Sequence, residues 1–116
     1  MTIPMTRNAF VFAALMLSAV GAQAAMLTAQ NGMTIYTFDK DTAGVSTCYD
    51  DCAKEWPPYL GKEGDTMTEG WTLVKRTDDT MQLAHKGKPV YFFDEDKKKG
   101  DMAGDGHDGV WHVINE

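Results

Sequence analysis

Apolar and polar residues alternate along much of this chain at a period of two, the signature of half-buried β-strands. In residues 33–38 the alternation places Tyr36 and Phe38 on one face, and in residues 89–93 it does the same for Tyr91 and Phe93. Residues 71–76 and 81–84 read as two further strands, and residues 111–114 as a closing strand with Trp111 and Val113 sharing a face. Asn31 and Gly32, between residues 26–29 and 33–38, predict a tight hairpin with φ > 0 at both turn positions. Residues 85–88 predict a second hairpin, and Pro89, lacking an N–H, belongs at a strand start or on an edge. With the polar turn at residues 77–80, a meander of about three strands follows from Trp71 to Phe93. One segment breaks the pattern. From Ser46 to Trp56 a helix of about two turns is predicted, with Thr47 and Asp50 resembling a capping box and the Pro57-Pro58 pair stopping it. Residues 100–109 are too rich in glycine for helix, and residues 61–70 read as a mobile loop between two halves.

The halves repeat each other. Gly32, Tyr36, Phe38, Asp39 and Asp41 recur 55 residues later as Gly87, Tyr91, Phe93, Asp94 and Asp96, five identities in ten positions. Ile35 matches Val90 conservatively, and the same offset pairs Ala29 with Ala84 and Trp56 with Trp111. Chance alignment at about one identity in fifteen would give fewer than one match in ten, so the chain holds two copies of one supersecondary unit, about 26–58 and about 81–114. The expected fold class is α+β and β-dominated: two pseudo-repeated hairpin units forming a small antiparallel sheet or barrel with one short helix.

Composition then locates the protein. Arg7, the apolar run 9–20 and Ala22-Gln23-Ala24 make residues 1–24 a secretory signal peptide. A run of about a dozen residues is too short to cross a hydrocarbon core that needs about twenty. No cysteine lies near the cleavage site, so no lipid anchor is expected, and residues 25–116 form a single domain. Losing Arg7 from eleven basic residues leaves ten against seventeen acidic ones, a net charge of −7. That surface disfavours nucleic acid and anionic lipid.

Several residues could carry chemistry. Cys48 and Cys52 are the only cysteines, and an oxidising compartment favours their disulfide. On a helix an i, i+4 pair has Cβ atoms about 5–6 Å apart, against about 3.8 Å in a disulfide, so the helix would have to tighten or start later. The alternative is a redox pair, although the flanking Asp50 and Asp51 would raise thiol pKa values rather than lower them. Tyr36, Phe38, Asp41, Tyr91, Phe93 and Asp96 admit two readings. Either the aromatics are core and the aspartates cap the turns that leave the strands, or two Tyr–Asp sets line a shared cleft around a ligand. The acid-rich stretch 94–108 raises Asp101 and Asp105 as weak metal candidates, but Lys98 and Lys99 interrupt any EF-hand order. His85, His107 and His112, with the methionines, raise a copper-binding reading at irregular spacing. No nucleophile elbow, P-loop, HExxH or dinucleotide fingerprint occurs.

The spacing Gly32, Ile35, Tyr36, Phe38, Asp41, followed by Ser46, Cys48, Cys52, Ala53, Trp56, Pro57 and Pro58, is distinctive. With Gly87, Pro89, Tyr91, Phe93 and Asp96, then Gly100, Asp101, Gly104, Gly106, Gly109, Val110 and Trp111, it resembles the bacterial secreted-repeat family. That family comprises predicted lipoproteins with a Yx(FWY)xxD motif and unknown function. The resemblance implies extracytoplasmic residence and a paired-motif fold; the lipidation cysteine is missing here. The reading as a whole is a non-catalytic periplasmic or secreted domain, without cofactor, that binds an envelope protein or small ligand. The rival is a thiol-redox or metal-handling protein of the envelope.

Overall fold

The computed structural model describes residues 26–115; the leader expected at residues 1–24 lies outside them. The elements are strand β1 (Tyr36–Phe38), helix α1 (Asp51–Glu55), strands β2 (Leu60–Gly61), β3 (Trp71–Lys75), β4 (Met81–His85) and β5 (Lys88–Tyr91), a 3-10 turn (His107–Gly109), and strand β6 (Trp111–Val113). Six strands form one open antiparallel sheet in the order β2-β4-β5-β1-β6, with β3 also paired to β4. The expected β-dominated α+β class is therefore observed, as an open sheet rather than a barrel.

The two motif strands are neighbours at the middle of the sheet, with Tyr36 directly opposite Tyr91. An approximate two-fold axis between them relates the copies. On one side the Asp39 N–H donates to the Val110 carbonyl (2.8 Å), and 55 residues on the Asp94 N–H donates to Glu55 (2.9 Å). The stretch leaving α1 thus borders β5 as β6 borders β1. Strand alternation then sorts the side chains onto two faces. One face buries Tyr36, Tyr91, Phe93, Trp56, Trp111 and Cys48, with Phe38 partly covered. The opposite face buries Ile35, Val90, Ala29 and Leu83, with Tyr59, Met67, Trp71 and Phe92 packed beside them. A single hairpin could bury neither face, because two strands alone leave both exposed.

Three local expectations are corrected. At the first hairpin only Gly32 has positive φ (84°); Asn31 does not, and its side chain instead accepts the Met33 N–H (3.0 Å). The turn with both positions positive is the second one, Lys86 (52°) and Gly87 (83°), where β4 meets β5 across a two-residue loop. Helix α1 has five residues rather than two full turns. Asp50 sits at φ 54°, outside helical space, so the helix begins after it and Cys48 lies upstream of the helix. Nor is there a capping box: the Thr47 N–H and hydroxyl both donate to Asp41 Oδ1 (2.8 and 2.7 Å), and α1 has no side-chain cap.

Candidate functional site

The motif residues meet in an exchange between copies. The Tyr36 hydroxyl, from the first motif, donates to Asp96 Oδ2 of the second (2.6 Å). Conversely the Tyr91 hydroxyl donates to Asp41 Oδ2 of the first (2.7 Å). Each aspartate spends its second oxygen on its own loop: Asp96 Oδ1 accepts the Ala103 N–H (2.9 Å), as Asp41 Oδ1 accepts Thr47. Both tyrosines are fully buried and Asp96 is 7% exposed. Burial foremost raises both hydroxyls well above the ordinary tyrosine value, and each aspartate partner adds to that shift. The aspartates thus close the turns leaving the strands while joining the two copies.

Between these pairs runs a column of four rings. Trp56 and Trp111 stack with centroids 3.9 Å apart and planes 2° from parallel. Phe93 caps Trp56 (4.1 Å) and Phe38 caps Trp111 (4.1 Å), so each phenylalanine lies on the other copy's tryptophan. Tyr36 and Tyr91 present their edges to Trp56 and Trp111 at 5.3 and 5.2 Å. Offset and edge-on pairs of this kind add about 0.5–1.5 kcal/mol each beyond area burial. Gly104 is required where it stands, since a methyl group there would lie 2.5 Å from Trp56 Cη2.

Beyond the motif, the sequence reading missed a buried polar network. Arg76, 2% exposed at the end of β3, donates through Nη1 to Ser46 Oγ (3.0 Å) and Gln82 Oε1 (2.8 Å), and through Nη2 to the Cys48 carbonyl (2.8 Å). Its guanidinium lies 4.2 Å from the centre of the Tyr49 ring. Ser46 in turn touches the Tyr91 hydroxyl. Arginine cannot accept and a carboxylate cannot donate, so the direction is set: Arg76 to Ser46 to Tyr91 to Asp41. Gln82 completes it by donating to the Val90 carbonyl (2.8 Å). The one signal in the sequence was Ser46, which stands within the repeat-family spacing; Arg76 reads locally as an ordinary strand end.

Cys48 and Cys52 are joined in a disulfide, with Cα atoms 5.3 Å apart, and Cys48 is fully buried. Asp101 Oδ2 accepts the N–H groups of Lys97 and Lys98 (2.8 and 3.1 Å), bonds that lower its pKa, while Asp105 Oδ1 accepts the Val113 N–H (3.0 Å). His112 bonds Asp39 (2.8 Å) and His107 faces Asp108 (3.4 Å). No group of three or more His, Cys, Asp or Glu side chains able to hold a metal occurs among the described residues, and none of their helices is long and apolar enough to cross a membrane.

Among the described residues, two of the surface openings flank these cores. The larger, about 610 Å³, is a groove on the second core face between residues 27–30, Tyr59, the loop at 65–68, Trp71 and Leu83. Tyr59 meets Trp71 edge-on there (6.4 Å). The smaller, about 340 Å³, lies between the loop after β1 and the turn before β5, and includes Phe38 and Asp41.

Neither the curated proteins nor the solved structures contain a match to this chain. The pattern of one family, described as a secreted repeat of unknown function, matches it twice, at residues 19–59 and 72–115. Those two matches span most of the chain and each contains one Tyr–Phe–Asp motif, so this protein belongs to the secreted-repeat family.

Proposed function

We propose that this is a non-catalytic binding domain of the periplasm, exported by the leader at residues 1–24, and that its ligand enters the groove beside Trp71. The observation that carries the reading is the contrast between the two faces. The polar groups of the repeated motif spend their bonds on one another, whereas Tyr59, Met67, Trp71 and Leu83 border open space. A groove of about 610 Å³ falls within the volume range of small-molecule sites, about 300–1,000 Å³. An aromatic wall with a few polar groups (Gln30, Asp65, Thr66 and Thr68) suits a small, largely apolar ligand or an apolar side chain of an envelope protein. In this reading the Tyr–Asp pairs and the Cys48–Cys52 bridge are architecture.

The test is thermal unfolding of the protein purified from its own envelope, against a panel of small aromatic and aliphatic compounds. A compound that binds only the folded state raises the melting temperature. Trp71→Ala should abolish that rise and Tyr36→Phe should preserve it. A response that survives Trp71→Ala, or one that appears only with added metal or thiol reagents, rejects the groove; the second outcome would favour metal handling or thiol redox.

A further inference from the structure

The two copies differ at one place where the fold supplies its own comparison. In the second copy the Lys99 side chain lies across the Gly32 turn: a methyl group on Gly32 would stand 2.8 Å from its Cδ and Cε. The residue 55 positions earlier is Gly44, which has no side chain to offer. At the matching turn, nothing lies within 4 Å of a methyl group placed on Gly87 or on Gly44. The first-copy loop instead meets its turn through backbone, the Gly44 N–H donating to the Gly87 carbonyl (2.8 Å). The first copy therefore holds a hollow of about 340 Å³ where the second copy lays a lysine stem.

We infer that this hollow is a binding site for an alkyl primary ammonium, in the place that Lys99 fills in the other copy. Phe38 and Pro89 supply apolar wall for the stem. Asp39 and Asp41 line the loop side, and Lys86 and Lys88 line the hairpin side. Charge orients the ligand: its ammonium points toward the aspartates and away from the two lysines. Asp41 is occupied by Tyr91 and Thr47, so Asp39, about half exposed and bonded to His112, is the principal counter-charge. The site is separate from the groove beside Trp71 and does not depend on it.

The experiment is a titration of the 15N-labelled protein, followed through its amide resonances, with n-butylammonium as the lysine-stem analogue and butyrate as the anionic comparison. Butylammonium should give saturable shifts at Gly44 and Gly87, and butyrate should give none. Lys99→Ala, a change at an exposed side chain, should open a second site seen as new saturable shifts at Gly32. Gly44→Lys should supply the missing stem and weaken binding by at least about tenfold, and Asp39→Asn should weaken it by about threefold or more. Absence of saturation in the unaltered protein, butyrate binding as well as butylammonium, or a Lys99→Ala protein with no new site would each overturn the inference. Because Gly44 has positive φ (74°), an unfolded Gly44→Lys protein leaves the decision to the Lys99→Ala and Asp39→Asn results.

Discussion

The two Tyr–Asp pairs use the same residues in the same sheet, yet their surroundings are built from different materials. Around Tyr36 and Asp96 the completing donors are backbone: Gly104 N–H to the Tyr36 hydroxyl (3.2 Å) and Ala103 N–H to the carboxylate (2.9 Å). Around Tyr91 and Asp41 side chains join the Thr47 N–H: the Thr47 hydroxyl, Ser46 and, behind Ser46, the buried Arg76. The cause lies in the loops. Gly104 lets the backbone approach the Trp56 ring, whereas its counterpart 55 residues earlier is Tyr49, which stacks on Arg76 instead. A repeated motif can thus keep its hydrogen bonds while everything behind them diverges, because a buried hydroxyl requires a partner but not a particular one.

The largest effects should come from the part that is symmetric. Trp56→Ala and Trp111→Ala each remove a nearly fully buried ring from the stack, at 2% and 3% exposure, and should each cost about 3–5 kcal/mol. Urea denaturation that finds one loss several-fold larger would break the equivalence of the copies.

Next is the asymmetric part. Arg76→Met strips the charged donor from Ser46, Gln82 and the Cys48 carbonyl, and leaving buried acceptors unpaired costs about 1–3 kcal/mol each before relaxation. A loss of about 3 kcal/mol is expected by the same measurement. An effect near zero would mean that water replaces the guanidinium and that the network does not hold this half together.

Removing the bridge with paired Cys48→Ser and Cys52→Ser should lower stability by about 2 kcal/mol, since even a short closed loop restricts the unfolded chain. Thiol titration of the native protein should find no free cysteine. Reactive thiols with unchanged melting would favour the redox rival.

Tyrosine ionisation is the mildest test. Both hydroxyls are held above their ordinary value of about 10 by burial. The unfolded chain therefore loses these protons first as pH rises, and the stability they contribute is complete below about pH 10 and falls above it. Unfolding free energies measured from pH 8 upward should decline beyond that point, and Tyr36→Phe with Tyr91→Phe should flatten the decline. An unchanged slope would show that other groups govern alkaline unfolding.

Much of this protein was legible because strand chemistry is local. Alternation put Tyr36 and Phe38 on one face, and the 55-residue offset paired the copies, because residues packing into one shared core must recur at one period. Cys48 and Cys52 could be joined on compartment and proximity alone, with the helix obliged to start later. The positive φ of Asp50 is the local form that obligation takes. What the sequence could not disclose is which partner each polar group meets. That Tyr36 bonds Asp96 and Tyr91 bonds Asp41, across separations of 60 and 50 residues, follows only once antiparallel pairing sets Tyr36 against Tyr91. Arg76 likewise shows nothing inward-facing in its neighbours, and its burial depends on Ser46 and Tyr49 from the stretch before α1 and on Gln82 from β4. Backbone preference and hydrophobic period act over a few residues and can be read along the chain; hydrogen-bond partnership and open volume depend on distances that only the packed sheet creates.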